Sequence, residues 1–437
     1  MLIRFIIENT LSFDKPTEFT MLPYKRLRTL KHHIYKEGVL KISALYGPNA
    51  AGKSNFVNAL ALLKDLIVKE NFSPKLMDSR FKFNDKKPQS FLVEFVENNT
   101  PYVFFIRFEK NKILEESLHV SGLGRKEDRL IYRRTAKDII FSNAFEKDTK
   151  SQIIKEVLKE DFLAPNKPVL KWLSKRENPH LRHTKNAYHW FEQTLHIVTP
   201  HSWPVMLAHY LDKDKEFKEF AENFLKSIDT GIESLDVKKD DIYSFFGKGN
   251  EELILQIQNE IETGKAKIFR NQRGDQILIV KEKGEIIVKT LVTRHKGKKG
   301  LIKEFDLKEE SDGTIRMLEY TPALRDIYHA KKVYVIDEIE RSIHPLLIRR
   351  IIEDFSHSEN TKGQLIFTTH ESVLLDQDIL RKDEIWFAEK NPSGATELYS
   401  LQEFVSEHIT IDIRKGYLSG RYGAVPYLEN LHKTLMN

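Results

Sequence analysis

Residues Gly47-Pro-Asn-Ala-Ala-Gly52-Lys53-Ser54 constrain this chain more than any other stretch. They match the pattern G-x-x-x-x-G-K-[ST] in full. The flanks agree with it. Val39 to Tyr46 (VLKISALY) is an apolar run that predicts a strand, and a helical pattern follows from about Lys53 to Glu70. A strand, a glycine-rich turn and a helix in that order bring backbone N–H groups and the positive end of a helix dipole to one point, where phosphate binds. Lys53 is then placed to reach β- and γ-phosphates, and the Ser54 hydroxyl to hold Mg²⁺. The expected ATP-binding set is Gly47, Pro48, Asn49, Ala50, Ala51, Gly52, Lys53, Ser54 and Asn55.

Such a loop needs a second carboxylate for the metal. Val333-Tyr-Val-Ile336 reads as a buried strand ending in Asp337-Glu338. Asp337 is the expected Mg²⁺ partner of Ser54. Glu338 is expected to position and polarise the attacking water, because a carboxylate there can accept its proton. A third short apolar strand, Leu365 to Thr369, ends in His370. Parallel strands converge on a ligand at their C-terminal edge, so an imidazole there can contact a terminal phosphate. Lys53, Glu338 and His370 are therefore the expected catalytic residues.

These three elements together resemble the ABC ATPase superfamily, in its SMC/RecF-like soluble branch. The family carries a signature motif of the Leu-Ser-Gly-Gly kind upstream of the acidic strand. The stretch that aligns with it here is Glu310-Ser311-Asp312-Gly313, which departs at Glu310 and Asp312 and keeps Ser311 and Gly313. Arg341-Ser342-Ile343-His344-Pro345 is similar to the family's D-loop. The resemblance implies that Ser311 and Gly313 complete the ATP site of a partner copy in trans. Gln89 is the candidate for the family's Q-loop glutamine, against a plain surface role. The tail patterns Asp383-Glu-Ile-Trp-Phe387 and Tyr417 to Pro426 resemble AAA-type ATPases of bacterial phage-defence systems, AbiL-type and retron- or nuclease-coupled. The resemblance covers about 1–120 and 301–437.

Several chemistries are excluded. The chain has no cysteine, which removes disulfides and thiol catalysis. No run reaches the roughly 18 apolar residues of a membrane span. MLIRFIIENTLSF reads as a first strand rather than a signal peptide, because Glu8 and Asn9 interrupt it. A cytoplasmic protein is expected. OLD-type relatives carry a Toprim nuclease after the ATPase, but only sixty-seven residues follow His370. Asp376-Gln-Asp378 reads as a helix start, and His180, His183 and His189 read as a surface cluster with no carboxylate pair beside it. The net charge is +6, and eleven basic residues stand against three acidic ones from Gly264 to Ile302. That stretch is either a footprint for a phosphate backbone or a solvated hairpin region.

The expected architecture is α/β: an ABC-type P-loop NTPase core with a mixed sheet and an inserted helical/β lid domain. The expected lobes are 1–122 with the phosphate loop, 123–300 as the inserted lid or arm, and 301–437 with the signature, acidic strand, D-loop and switch histidine. Hairpin strands are expected at 91–96 and 102–108, polar helices from 123 to 230, and short strands from 253 to 292. The expected function is an Mg²⁺-dependent ATP hydrolase that dimerises, or forms a higher homo-oligomer, around ATP. It would control a separate effector, a nuclease or toxin, in anti-phage defence. The alternative is a DNA-binding repair or chromosome-maintenance ATPase. Nucleic acid therefore stays open as a partner, and a membrane is not expected.

Overall fold

The structure is a computed structural model and describes residues 1–84, 87–200, 206–261, 266–270, 276–404 and 412–426. The chain divides into two compact units. The first comprises Met1–Thr199, Ile327–Glu340 and Ile348–Asn437; the second comprises Pro200–Asp326 and Arg341–Leu347. The stretch expected as an insert, 123–300, is thus split between them. Within the first unit, Arg129–Thr135 and Ile139–Phe141 extend a sheet begun at the N-terminus, and Leu195–Val198 joins the core sheet. Short strands in a polar stretch leave little periodicity to read, and the partner of Leu195–Val198, Val333–Ile336, lies far off in sequence.

The first unit holds two sheets. The core sheet has the order Thr396–Ser400, Ile385–Lys390, Ile42–Tyr46, Gln364–Thr368, Val333–Ile336, Leu195–Val198. Five of these strands run parallel, and only Thr396–Ser400 is antiparallel to its neighbour. The sheet is therefore mixed, as expected. Strands covered on both faces read as continuous apolar runs, which is why VYVI, QLIFT and ISALY are buried along their length. The second sheet is seven-stranded and antiparallel, in the order Thr17–Thr20, Leu2–Glu8, Gln89–Glu97, Thr100–Glu109, Lys112–Val120, Arg129–Thr135, Ile139–Phe141. The expected hairpin turns at Asn98 and Asn99, both at positive φ, which suits a two-residue turn between twisted strands.

The helix Lys53–Lys69 shares one apolar cluster with both sheets. Its Phe56 ring lies 5.9 Å from Phe5 and 4.8 Å from Phe19, and Phe19 lies 5.0 Å from Trp386. Removing a buried ring of this kind costs about 3–5 kcal/mol. Gln364 laces the sheets together: its amide donates to the Leu2 and Leu40 carbonyls and accepts from the Leu2 N–H.

The second unit is a five-stranded antiparallel sheet (Ile232–Asp241, Ala266–Arg270, Gln276–Glu282, Glu285–Lys296, Ile302–Asp306) with short helices. Lys215–Ser227 is helical as the periodicity predicts, capped by the Asp214 carboxylate accepting from Phe217 N at 2.9 Å. Glu251–Glu260, expected as strand, is a helix. Ile254, Ile257 and Ile261 recur at helical spacing and are buried against Ile279 and Val288. Gly264, Lys265, Arg273, Asp275 and the turn at 273–275 lie outside the described residues. Two of the remaining basic residues are paired within the unit: Lys289 with Asp212 and Glu282, and Arg294 with Asp236. Lys283, Lys296, Lys298 and Lys299 are exposed. Among the described residues, no helix is long and apolar enough to cross a membrane.

Candidate functional site

The site grows from the C-terminal ends of three adjacent parallel strands. Ile42–Tyr46 leads into the phosphate loop, Gln364–Thr368 into His370, and Val333–Ile336 into Asp337 and Glu338. The histidine strand stands between the other two, paired with both in parallel register.

The loop's backbone departs from ordinary geometry. Ala50 is at φ 64 and Gly52 at φ 110, and between them the Ala51 N–H closes a turn on the Pro48 carbonyl at 3.2 Å. Gly52 also has no room for a side chain: a Cβ there would meet Thr396 and Ser12. Ser12 ties this corner together. Its hydroxyl accepts from Asn55 Nδ2 and Thr396 Oγ1, each at 2.8 Å. The helix Lys53–Lys69 starts at Gly52 with no side-chain cap, so its first N–H groups face the loop. Ser54 stands in that first turn.

Lys53 is buried, and its ammonium donates to the Gly47 carbonyl at 2.8 Å, the Pro48 carbonyl at 3.2 Å and His370 Nε2 at 2.9 Å. An ammonium only donates, so this imidazole nitrogen is the acceptor. Both groups titrate accordingly. Burial pulls Lys53 down to about 8, against the opposing pull of Glu340, Asp337 and Glu338. Burial and then the Lys53 charge hold His370 below the usual imidazole value.

Thr368 is the hub between the strands. Its hydroxyl donates to Asp337 Oδ1 at 2.6 Å and accepts from Glu338 N at 2.8 Å. The buried Asp337 carboxylate is thus aimed by a neutral donor. A buried, oriented carboxylate and a hydroxyl at a helix start are each hard oxygen donors of the kind a magnesium ion takes. Glu338 adopts φ 50, which turns its side chain out of the strand direction; a non-glycine residue there costs of order 1 kcal/mol or more.

One residue of this site escaped the sequence reading. Glu340 Oε1 accepts from His370 N at 2.6 Å, and burial raises the pKa of its carboxyl. The signal was its place two residues after Glu338. The C-terminal pattern also reaches the site. Tyr417, Leu418, Val425 and Pro426 line a cavity of about 850 Å³ with the phosphate loop and His370, alongside Glu389 and Lys390. Tyr417 stacks on Phe387 at 5.7 Å and donates to the Ala424 carbonyl.

Other candidates lie elsewhere. Gln89 is buried, neither a surface residue nor part of this cavity; its amide donates to Ser79 and Thr10. Asp376 does not start a helix. It pairs with Arg349 at 2.7 Å and caps a turn through Asp378 N. Among the described residues, no group of three His, Asp or Glu side chains is arranged to hold a metal. Ser311 and Gly313 belong to the second unit. Ser311 accepts from Thr314 N at 3.1 Å, opening the helix Asp312–His329, and a Cβ on Gly313 would meet the Ser342 carbonyl of the D-loop-like stretch. Glu310, which departs from the signature, accepts from His295 Nε2 at 2.6 Å and from the Thr293 hydroxyl.

A family model described as "AAA domain, putative AbiEii toxin, Type IV TA system" matches residues 42–376. No curated protein matches the chain. Among solved structures it is similar to an SMC head bound to the C-winged helix domain of ScpA, at 12% identity and a TM-score of 0.42 over 92% of this chain and 99% of that one. It is also similar to the SMC head domain from Thermotoga maritima, at 11% identity and a TM-score of 0.37 over 91% and 98%.

Proposed function

The chain belongs to this AAA-domain family, and from that premise we propose that it is an Mg²⁺-dependent ATP hydrolase of the ABC type, whose copies pair around ATP to control a separate effector in phage defence. The observation that carries the ATPase reading is the Thr368 hub, which links Asp337 and Glu338 to the strand that ends in His370. Lys53 and the loop N–H groups bind and orient the phosphates. Ser54 and Asp337 would hold Mg²⁺, which supplies charge neutralisation at the β- and γ-phosphates. Glu338 holds the attacking water and takes its proton. His370 contacts the γ-phosphate and so distinguishes ATP from ADP. Ser311 and Gly313 of one copy complete the site of the other. Differential contact with the γ-phosphate then favours the closed pair, and hydrolysis releases it. The defence role rests on the family's description as a putative AbiEii toxin of a type IV TA system, together with the tail pattern Tyr417 to Pro426.

A second reading, a DNA-repair or chromosome-maintenance ATPase, is favoured by the exposed lysine turn at Lys296, Lys298 and Lys299. It requires duplex binding that weakens steeply with salt. One experiment separates the two readings: native mass of Glu338→Gln, co-expressed with its genomic neighbours, with and without ATP–Mg²⁺. An ATP-dependent dimer carrying a second protein supports effector control. A dimer carrying only nucleic acid supports the repair reading. A monomer that binds ATP but never pairs overturns the clamp.

A further inference from the structure

A second cavity of about 700 Å³ opens in the first unit, lined by Arg129, Arg182, His180 and His183 with Leu130, Ile131, Phe141 and Pro179. Two of the three histidines that read as a surface cluster meet here. His189 does not; it pairs with Glu97 at 2.9 Å. The cavity's hydrogen bonding is unusual for arginine. Arg129 Nη2 donates to His183 Nε2 at 3.3 Å, and His183 Nδ1 bonds the Tyr102 hydroxyl at 2.9 Å. A guanidinium only donates, so Nε2 is an acceptor and the imidazole is neutral. Burial, Arg129 and Arg182 depress its pKa to about 4, consistent with that tautomer. Tyr102 is itself braced by Asn186 Nδ2 at 3.0 Å.

Arg129 is therefore held in place by a neutral partner. Among the described residues, no carboxylate pairs with Arg129 or Arg182. The acids nearby serve the backbone: Asp128 accepts from Gly122 N, and Asp148 caps Ser151. The Arg129 guanidinium bonded to a neutral partner and the Arg182 guanidinium lining the same cavity, beside an apolar wall, suit a phosphate on one side and a planar group on the other. We infer that this cavity binds the phosphate and base of a single nucleotide, either free or as the 5′-phosphorylated end of a nucleic-acid strand, with Arg129 and Arg182 on the phosphate and Leu130 and Pro179 against the base. This site shares no residue with the phosphate-loop site.

The test uses the full chain and two probes. Fluorescence anisotropy compares a 3′-labelled single-stranded DNA 12-mer carrying a 5′-phosphate with its 5′-hydroxyl twin, and calorimetry measures thymidine 5′-monophosphate. A strand-end site binds the phosphorylated strand about tenfold tighter or more, since each charge-assisted contact is worth about that factor. Arg129→Ala and Arg182→Ala erase the preference, and Lys53→Ala keeps it. A free-nucleotide site shows no strand preference but binds the monophosphate, and loses that binding in the same two arginine variants. If neither probe responds to either arginine variant, the inference is wrong. Both arginines are exposed, so the variants should fold, which a melting curve verifies. Loss of binding in Lys53→Ala alone would assign the probes to the phosphate loop and overturn the second site.

Discussion

Lys53 Nζ lies 2.9 Å from His370 Nε2 while also bonding the carbonyls of Gly47 and Pro48. One ammonium therefore joins the loop that should hold the β-phosphate to the histidine that should sense the γ-phosphate. A phosphate drawn to Lys53 competes directly with that histidine.

Because burial brings Lys53 down to about 8, phosphate affinity should depend on pH. The charged form binds anions; it is half populated at that value and nearly complete a unit below it. Affinity for a fluorescent ADP analogue should hold from pH 6.5 to 7.5, then fall through pH 8 to 9 with a limiting slope of tenfold per unit. A flat profile to pH 9.5 would show that Lys53 keeps its charge.

Glu340 exerts the largest opposing pull on Lys53. Glu340→Gln keeps an oxygen to accept from His370 N and removes the negative charge. The falling limb of the same titration should then move to lower pH with little change in melting temperature. A limb that stays put would leave Glu340 a purely structural acceptor.

Thr368→Val should cost about 1–3 kcal/mol of stability, because it strips a buried donor from Asp337 and an acceptor from Glu338 N. It should also raise the Mg²⁺ concentration needed for half-maximal hydrolysis, and Thr368→Ser should restore most of both. Thermal melts and an Mg²⁺ titration of phosphate release read the two effects. Unchanged Mg²⁺ dependence would separate Thr368 from metal positioning.

Ser311→Arg should abolish hydrolysis yet leave ATP binding by the monomer intact. Equilibrium binding under dilute conditions, beside steady-state phosphate release, reads both. Loss of monomer binding would mean that Ser311 does not act in trans.

The strands that lead into Gly47, Asp337 and His370 were legible because each is a local pattern. A short apolar run ending in a fixed polar residue says both that a strand is buried and where its useful end lies. Glu251–Glu260 was misread because its isoleucine spacing was taken as strand rather than helix, and short apolar stretches carry both periods weakly. The expected boundary at 122 falls inside one unit, because Arg129–Thr135 continues the sheet by pairing with Lys112–Val120, while Leu195–Val198 pairs with Val333–Ile336 far along the chain.

By itself the sequence determined the strand–turn–helix that carries Gly47, Gly52, Lys53 and Ser54, since backbone freedom at the glycines and the flanking apolar patterns are local. It also determined that Asp337, Glu338 and His370 would end strands. Tertiary structure alone decided which strands are neighbours, and so that Thr368 reaches Asp337, that Lys53 meets His370 across 317 positions of sequence, and that Tyr417 and Pro426 line the same cavity. It also put Arg129 against a neutral His183. Those contacts join residues far apart in the chain; they depend on parallel pairing and on which groups burial leaves to find one another, and no local pattern encodes that.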